Sequence, residues 1–225
     1  FFYKFDKINM KLYGCNPSSP YTGLAKVTAE LTGFEHEFVR ISTEGKEEYK
    51  KDVYHAGVFP YLQDSASGEG LGESVAIARF MCNTNQESGL YGSTTYETAQ
   101  IDEAIDRHLF SSTTSISQFL GSLLGFFPVP EETFKEASKK FKDYLRKLDE
   151  QLKDKEFIVG DKLSLADVYI TVSLSIPFAI YLDAGFRKAI PNLTKYYTAH
   201  RQNSALEKHL GKPRFAGQGV KPKFA

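Results

Sequence analysis

The stretch GVFPYLQDSASGEGLGESVAIARF, residues 57–80, decides the fold of this chain. It predicts a turn, a short strand, a Gly-rich hairpin, a second short strand and a helix that begins abruptly at Glu73 and Ser74. Pro60 stands just before the first strand, where a proline indicates an edge, a turn or a cis peptide bond. A helix that starts directly after a strand leaves N–H groups unpaired, so its start can receive a carboxylate. An ordinary hairpin followed by a capped helix is the alternative interpretation.

The residues before this stretch predict a small mixed sheet. Residues 10–14, MKLYG, form a strand candidate, and a helix follows with Ser19 as N-cap, Pro20 as first residue and Gly33 as C-terminal stop. We expect the Ser19 hydroxyl to accept a hydrogen bond from a free N–H group. Residues 36–41 alternate polar and apolar side chains, as a strand does. The order predicts a crossover unit followed by a hairpin, in a domain that spans residues 10–84.

Strand signals stop at residue 84, and helical periodicity follows a linker at residues 85–93. Residues 94–211 predict an all-helical domain. Its predicted core positions are Ile101, Ile105, Leu109, Ile116, Leu120 and Leu124 on one helix, and Phe134, Ala137, Phe141, Leu145, Leu148 and Leu152 on the next. Ser164 and Asp167 form a capping box before an unusually apolar helix, which is a structural role. Residues 1–9 are interpreted as an extension, and residues 212–225 as a docked or flexible tail.

Composition excludes several classes of partner. The 28 basic and 28 acidic residues give a net charge of zero, so no long-range field favours nucleic acid or an anionic membrane. Apolar runs are too short to span a bilayer. The two cysteines, Cys15 and Cys82, cannot form a disulfide framework and indicate a reducing compartment, with a cytoplasmic protein as the default. The five histidines lack metal-ligand spacing, and we expect no metal.

Three segments in the right order give the chain a family resemblance. FPYL at residues 59–62, ESVAI at 73–77 and FIVGDKLSLADV at 157–168 resemble the cytosolic glutathione S-transferases. The resemblance implies an α+β fold: a thioredoxin-like N-terminal domain, with a mixed four-stranded sheet and helices, followed by an all-α helical bundle. YGSTTYETAQI, FRKAIPNLTKYY and RFAGQGVKPKFA look most like the transferase-like domain of the gamma subunit of translation elongation factor 1.

The resemblance implies two alternative functions. In the first, the protein binds glutathione as co-substrate and transfers its thiolate to hydrophobic electrophiles, as a homodimer with modest activity. In the second, it is a non-catalytic assembly module of the elongation factor 1 complex, with a vestigial glutathione site and a guanine-nucleotide exchange subunit as partner. The second electrophilic substrate would lie between the domains, against Arg107, His108, Ser111 and Thr114.

A transferase of this kind must keep the glutathione thiol ionised near neutral pH. Lowering a thiol pKa by two units takes about 2.7 kcal/mol, and a hydroxyl bound to the thiolate supplies roughly 1.5 to 3 kcal/mol. Ser18 falls where serine-type members place this hydroxyl, and Ser19 is the second candidate. Tyr13, interpreted as strand packing, and Cys15, which could form a mixed disulfide with glutathione, are the alternatives.

The resemblance also implies anchors for the tripeptide. The backbone of Phe59, before a cis Pro60, would pair with the cysteinyl unit, while Ser74 and Glu73 would hold the γ-glutamyl end. Lys46, Lys50 and His55 are candidates for the glycine carboxylate. Val58 stands where many members carry Gln, a departure that weakens the prediction of tight binding.

Overall fold

The computed structural model describes residues 9–15, 19–220, 222 and 224, and only the backbone of residues 113–118. The chain forms two compact units. The first, here called the mixed unit, runs to Ser93 and includes Ser204–Gly211. The second, here called the helical unit, comprises Thr94–Asn203 and the segment that begins at Lys212.

The strands and helices succeed one another in the order that the sequence predicts. They are β1 (Met10–Gly14), α1 (Pro20–Thr32), β2 (Glu37–Arg40), α2 (Lys46–Asp52), β3 (Tyr61–Asp64), β4 (Gly70–Leu71), α3 (Ser74–Thr84), α4 (Thr95–Leu123), α5 (Glu131–Gln151), α6 (Leu165–Ser173), α7 (Ser175–Ile180), α8 (Ala184–Lys188), α9 (Pro191–His200) and α10 (Ser204–Leu210).

The sheet of the mixed unit confirms the predicted topology. Its strand order is β2-β1-β3-β4, with β1 parallel to β2 and antiparallel to β3, and with β3 antiparallel to β4. Because successive side chains point to opposite faces of a strand, Leu12 and Leu62 pack with buried residues of α1 and α3. Tyr13 and Tyr61 lie on the other face, with Tyr49 of α2.

The start of α1 corrects one expectation. Ser19 is the N-cap and Pro20 the first helical residue, and Gly33 ends the helix in the left-handed region at φ 65°. However, the Ser19 hydroxyl makes no capping hydrogen bond. The torsions of Ser19, φ −59° and ψ 128°, differ from the more extended ones of Thr94, φ −131° and ψ 157°, whose hydroxyl does accept from the first turn of α4.

The core of the helical unit follows the predicted periodicity on α5. Every predicted position from Phe134 to Leu152 is buried there. On α4, Ile101, Ile105 and Leu120 are buried, but Leu124 is 41% exposed, because the helix ends one residue earlier and the chain turns at Gly125. Ile116 lies outside the side chains that the structure describes.

The predicted apolar helix after the capping box is divided into α6 and α7. Pro177 lacks an N–H group, so it cannot continue the ladder of hydrogen bonds to the residue four positions earlier. The capping box itself is confirmed. Both side chains are buried, and Asp167 Oδ2 accepts from the Ser164 backbone nitrogen at 2.8 Å and from its hydroxyl at 2.6 Å.

The helix α10 differs from the predicted domain boundary at residue 211, since it packs with the mixed unit. Ala205 and Leu206 are buried, and the Lys208 ammonium lies 2.7 Å from the Glu30 carboxylate of α1. Helical periodicity shows which face of a helix is apolar but not which neighbour covers that face. The hydrophobic pattern therefore does not show that α10 belongs to the mixed unit.

The tail after α10 docks on the helical unit. Ala216 donates its N–H to the Phe178 carbonyl at 2.8 Å, and its own carbonyl accepts from Arg187 at 2.6 Å. Val220 donates its N–H to the Ile180 carbonyl, also at 2.8 Å. The described part of the tail is therefore docked, which is one of the two predicted alternatives.

Candidate functional site

The hairpin brings the loop at Pro60 next to the start of α3. The β3–β4 register pairs Leu62 with Leu71, so the strand that follows Pro60 is bonded to the strand that precedes Glu73. The Phe59–Pro60 peptide bond is cis, one of the three conformations that the sequence allowed. Opposed residues of an antiparallel pair lie about 4.5 to 5.5 Å apart. The two predicted anchors therefore lie at the same end of the β3–β4 hairpin.

The start of α3 is uncapped and has an unusual backbone. Glu73 is exposed, makes no capping hydrogen bond with its side chain and has φ 63° and ψ 115°. Such torsions are strained for a residue other than glycine and persist only where the surroundings hold them. Ser74, the first helical residue, is only 9% exposed. Since the first-turn N–H groups have no partner within a helix, this start can receive a carboxylate.

A cluster of tyrosines supports the loop before the cis bond. The Tyr49 hydroxyl donates to the Val58 carbonyl at 3.0 Å, and its ring stacks on Phe59 with centroids 4.6 Å apart. Tyr54 stacks on Tyr61 with centroids 4.1 Å apart. Burial raises the pKa of Tyr49, so its hydroxyl stays protonated and can donate. Sequence reasoning missed this cluster, because residues of a helix, a loop and a strand share no simple spacing.

The end of β1 lies beside the start of β3. The β1–β3 register pairs Tyr13 with Tyr61, so β1 ends beside the residue that follows the cis Pro60. Cys15, which follows β1 directly, is exposed. Tyr13 is buried and donates its hydroxyl to Gln63 at 3.2 Å, as expected of a packing residue.

Of the two candidate serines, the structure describes Ser19, the N-cap of α1. Ser19 is half-buried, and its hydroxyl is not used as a helix cap. Ser18 lies outside the described residues. A Cβ added to Gly14 would meet the Thr22 side chain at 2.7 Å, so β1 and α1 approach closely at this point.

The predicted contacts for the glycine carboxylate lie on or after α2. Lys46 is the first residue of that helix and is exposed. His55 is also exposed, and its ring meets the edge of Tyr54 with centroids 5.4 Å apart. Both side chains are accessible to a ligand.

The predicted second-substrate residues occupy different faces of α4. Arg107 is ion-paired with Glu103, and Ser111 is exposed. His108, in contrast, is 1% exposed. Its Nδ1 lies 2.7 Å from the Tyr144 hydroxyl and its Nε2 lies 2.6 Å from the Ser173 hydroxyl.

Burial therefore changes the interpretation of His108. Desolvation lowers its pKa to about 3, so the ring is neutral at physiological pH. Because both ring nitrogens are bonded inside the helical unit, His108 cannot contact a substrate in this conformation. The helical periodicity already indicates this burial, since His108 follows Ile101 and Ile105 on the same face of α4. The side chain of Thr114 is outside the described part of the chain.

Among the described residues, no three His, Cys, Asp or Glu side chains are grouped as metal ligands would be. None of the described helices combines the length and the apolar character needed to cross a bilayer.

Comparison with known proteins gives the family. Residues 12–89 match the model of the glutathione S-transferase N-terminal domain, and residues 108–203 match that of the C-terminal domain. A protein of Schizosaccharomyces pombe named "Putative glutathione S-transferase" is 30% identical over 64% of this chain and 68% of its own length. The chain belongs to the glutathione S-transferase family.

Within the family, similarity extends to elongation factor 1-gamma. The "Probable elongation factor 1-gamma 1" of Arabidopsis thaliana is 30% identical over 62% of this chain, and the match spans 34% of that relative. The GST-like domain of elongation factor 1-gamma from Saccharomyces cerevisiae has a TM-score of 0.83, with 17% identity over 96% of this chain and 99% of that one. Poplar glutathione transferase F1 has a TM-score of 0.77, with 23% identity over 90% of this chain and 96% of that one. At these identities the structural matches show the fold alone.

Proposed function

We propose that the mixed unit binds glutathione and presents its thiolate to electrophilic substrates. One observation carries the proposal: the cis Phe59–Pro60 bond leads into β3, and the uncapped, strained start of α3 follows the partner strand β4. One element offers backbone groups in an extended conformation, and the other offers the N–H groups of a helix start. A peptide that carries a free carboxylate can use both, because its backbone pairs with the extended groups and its carboxylate accepts from the helix N–H groups.

The tripeptide would be held at three places. The backbone of Phe59 would pair with the cysteinyl unit. The γ-glutamyl carboxylate would accept from the N–H groups at Ser74, while the exposed carboxylate of Glu73 would face the ammonium. Lys46 and His55, both exposed, would meet the glycine carboxylate.

Thiolate activation would fall to the start of α1. A hydroxyl that donates to the thiolate supplies roughly 1.5 to 3 kcal/mol, and the helix start adds roughly 0.3 to 1 kcal/mol. Ser18 is the proposed donor, with Ser19 second, since the Ser19 hydroxyl makes no capping bond. The ionised sulfur would then attack the electrophile, forming a C–S bond as the leaving group departs with the bonding electrons.

Cysteine-type chemistry is the competing interpretation of the same segment. Cys15 is exposed, whereas burial raises the pKa of Cys82 to about 12 and makes that thiol unreactive. A mixed disulfide of Cys15 with glutathione would favour thiol exchange over conjugation. An exposed free thiol also supports the proposed cytoplasmic location, because that compartment is reducing.

The test is calorimetric titration with glutathione together with a conjugation assay on an aryl halide. We expect measurable binding and slow turnover, a loss of turnover in Ser18→Ala, and weaker binding in Glu73→Gln, which removes the carboxylate that faces the ammonium. Ser65→Ala, on the exposed β3–β4 turn, is the matched control. Absence of binding would overturn the proposal, whereas full turnover in Ser18→Ala would move the donor to Ser19. Loss of turnover in Cys15→Ser alone would favour the cysteine chemistry.

A second function, as an assembly module, is favoured by the likeness to elongation factor 1-gamma. In this case the glutathione site would be vestigial. Light scattering of the purified chain should show whether it forms a homodimer. Mixing it with the purified exchange subunit of elongation factor 1 should give a stable complex if the module hypothesis is correct, and no complex otherwise.

A further inference from the structure

The helical unit contains a cavity that none of the proposed glutathione-binding residues lines, although it includes Arg107, a predicted contact of the second substrate. Its volume is about 320 Å³, and it lies between α4, α5 and the loop that leads to α6. Leu148 and Ile170 give it an apolar floor, while Glu103, Arg107, Lys155 and Tyr144 add polar groups. Sites for small molecules combine these features, and this volume is at the lower end of their range. The cavity therefore suits a small ligand with one apolar and one polar end.

The loop wall of the cavity is fixed before any ligand arrives. Ile158, which lines the cavity, donates its N–H to Asp167 Oδ1 at 2.8 Å. The Asp167 carboxylate is fully buried and also accepts from the Tyr196 hydroxyl at 2.6 Å. A preformed wall lowers the entropic cost of binding.

The hydrogen bonds behind the cavity determine what Tyr144 can offer. The Ser173 hydroxyl donates to the Ile170 carbonyl at 2.8 Å, so its oxygen accepts from Nε2–H of His108. In a neutral imidazole the other nitrogen is then an acceptor, and Tyr144 must donate its proton to Nδ1. The Tyr144 oxygen keeps its lone pairs. It can accept a hydrogen bond from a ligand but cannot donate one.

The charged groups supply the complementary half of the site. Arg107 is ion-paired with Glu103, which leaves that pair close to neutral. Lys155 is exposed, and no acid among the described residues forms an ion pair with it. The rim thus offers donors at Lys155 and Arg107, and acceptors at Tyr144 and Glu103.

We propose that this cavity binds a small zwitterion of the amino-acid type with an apolar side chain. The ligand's ammonium donates to the Tyr144 oxygen and to Glu103, its carboxylate accepts from Lys155, and its side chain covers Leu148 and Ile170. The lining residues all belong to the helical unit. The proposal is therefore independent of glutathione binding in the mixed unit.

Calorimetric titration of the whole chain with L-phenylalanine tests the proposal. The comparison ligands are 3-phenylpropanoate, which lacks the ammonium, and 2-phenylethylamine, which lacks the carboxylate. We expect phenylalanine to bind at least about tenfold more tightly than either. No binding of phenylalanine, or equal binding of one analogue, would overturn the zwitterion site. Glutathione titrated in the same samples should bind unchanged, which separates this test from the previous one.

Two variants locate the site. Lys155→Gln should weaken phenylalanine about tenfold and leave 2-phenylethylamine unaffected, while Lys153→Gln, an exposed lysine that does not line the cavity, should change neither. Ala104→Phe should fill the cavity from α4 and abolish binding, with thermal unfolding as the check that the variant is folded. Binding of phenylalanine to a folded Ala104→Phe variant within twofold of the wild type would place the ligand elsewhere and refute the assignment.

Discussion

The starts of α3 and α6 use similar side chains in opposite ways. At α6, Ser164 and Asp167 are buried and bond to each other and to the backbone. At α3, Glu73 and Ser74 also supply an acid and a hydroxyl, but the N-cap side chain makes no capping bond. One start is closed by the protein itself, and the other is open.

The difference lies in whether the protein itself caps the helix start. In the closed start, internal acceptors satisfy the donors, so no ligand is needed and the gain is stability. In the open start, the backbone of Glu73 is held in a strained conformation and the N-cap side chain makes no capping bond, which lowers stability; under the proposed function, the N–H groups there bind a carboxylate. A residue pattern of acid and serine does not distinguish these two outcomes.

Opening the closed start should have the largest effect. Asp167→Ala removes the acceptor of the Ile158 and Ser164 N–H groups and of the Ser164 and Tyr196 hydroxyls. Because each buried donor left unsatisfied costs about 1 to 3 kcal/mol, we expect a loss of at least about 3 kcal/mol in the free energy of unfolding. Urea denaturation followed by circular dichroism measures it. Asp161→Ala, at an exposed position, should change little, and a similar loss there would contradict the interpretation.

Low pH should also destabilise α6, at its C-terminal end. There the buried His108 ring bonds to the hydroxyl of Ser173. The folded-state pKa of His108 is about 3, against 6.5 when unfolded. Above pH 6.5 both states are neutral. As the pH falls below that value, only the unfolded state takes up the proton, so stability falls. Between pH 7 and pH 5, His108 alone should lower the free energy of unfolding by about 2 kcal/mol.

Urea denaturation at a series of pH values checks this contribution. His108→Gln keeps a polar side chain but cannot be protonated in this range. The slope of stability against pH, which counts the protons taken up on unfolding, should therefore decrease by about one proton. An unchanged slope in this variant would show that other groups cause the dependence. His55→Gln is the exposed control, for which we expect the wild-type slope.

Relaxing the open start should affect stability and binding in opposite directions. Glu73→Gly removes the strain of a positive φ, worth about 1 to 3 kcal/mol, although glycine loses about 0.5 to 1 kcal/mol of backbone entropy on folding. We expect a net gain of about 1 kcal/mol in urea denaturation and about tenfold weaker glutathione binding in calorimetry. Glu69→Gly is the matched control on the neighbouring turn. A variant that loses stability would show that the conformation is not strained.

The start of α1 should give the smallest effect, because it is another open start. Since the Ser19 hydroxyl makes no capping bond, Ser19→Ala should change the free energy of unfolding by less than about 0.5 kcal/mol. Thr94→Ala, which removes a bond to the Glu97 N–H at 3.1 Å, should cost about 1 kcal/mol. Equal losses in the two variants, measured side by side, would mean that Ser19 does cap its helix.

Much of the fold could be predicted because it depends on local patterns. The apolar spacing from Phe134 to Leu152 located the core face of α5, and Gly33 and the capping box located helix ends. Wrong expectations arose where a neighbour decided the outcome. Leu124 lies just beyond its helix and is exposed, and α10 packs with the mixed unit although it follows the helical one in sequence.

The candidate site was only half accessible to sequence reasoning. Pro60, Glu73 and Ser74 were identified from the turn and from the abrupt helix start, and β3–β4 pairing places the turn and the helix start at the same end of the hairpin. The tyrosine cluster behind the loop was missed, and His108 was interpreted as a substrate contact. Both depend on which side chains meet across different elements, which spacing within one element does not show.

The sequence by itself determined the order of the strands and helices, the capping box and the two-part organisation of the chain. These follow from backbone conformation, hydrophobic periodicity and local hydrogen bonds, which act over a few residues. Only the tertiary structure decided that Asp167 closes one helix start while Glu73 leaves another open, and that His108 is a buried, neutral partner of Tyr144. Those outcomes depend on burial and on donors supplied by distant residues, because desolvation and hydrogen-bond partners are properties of the packed chain.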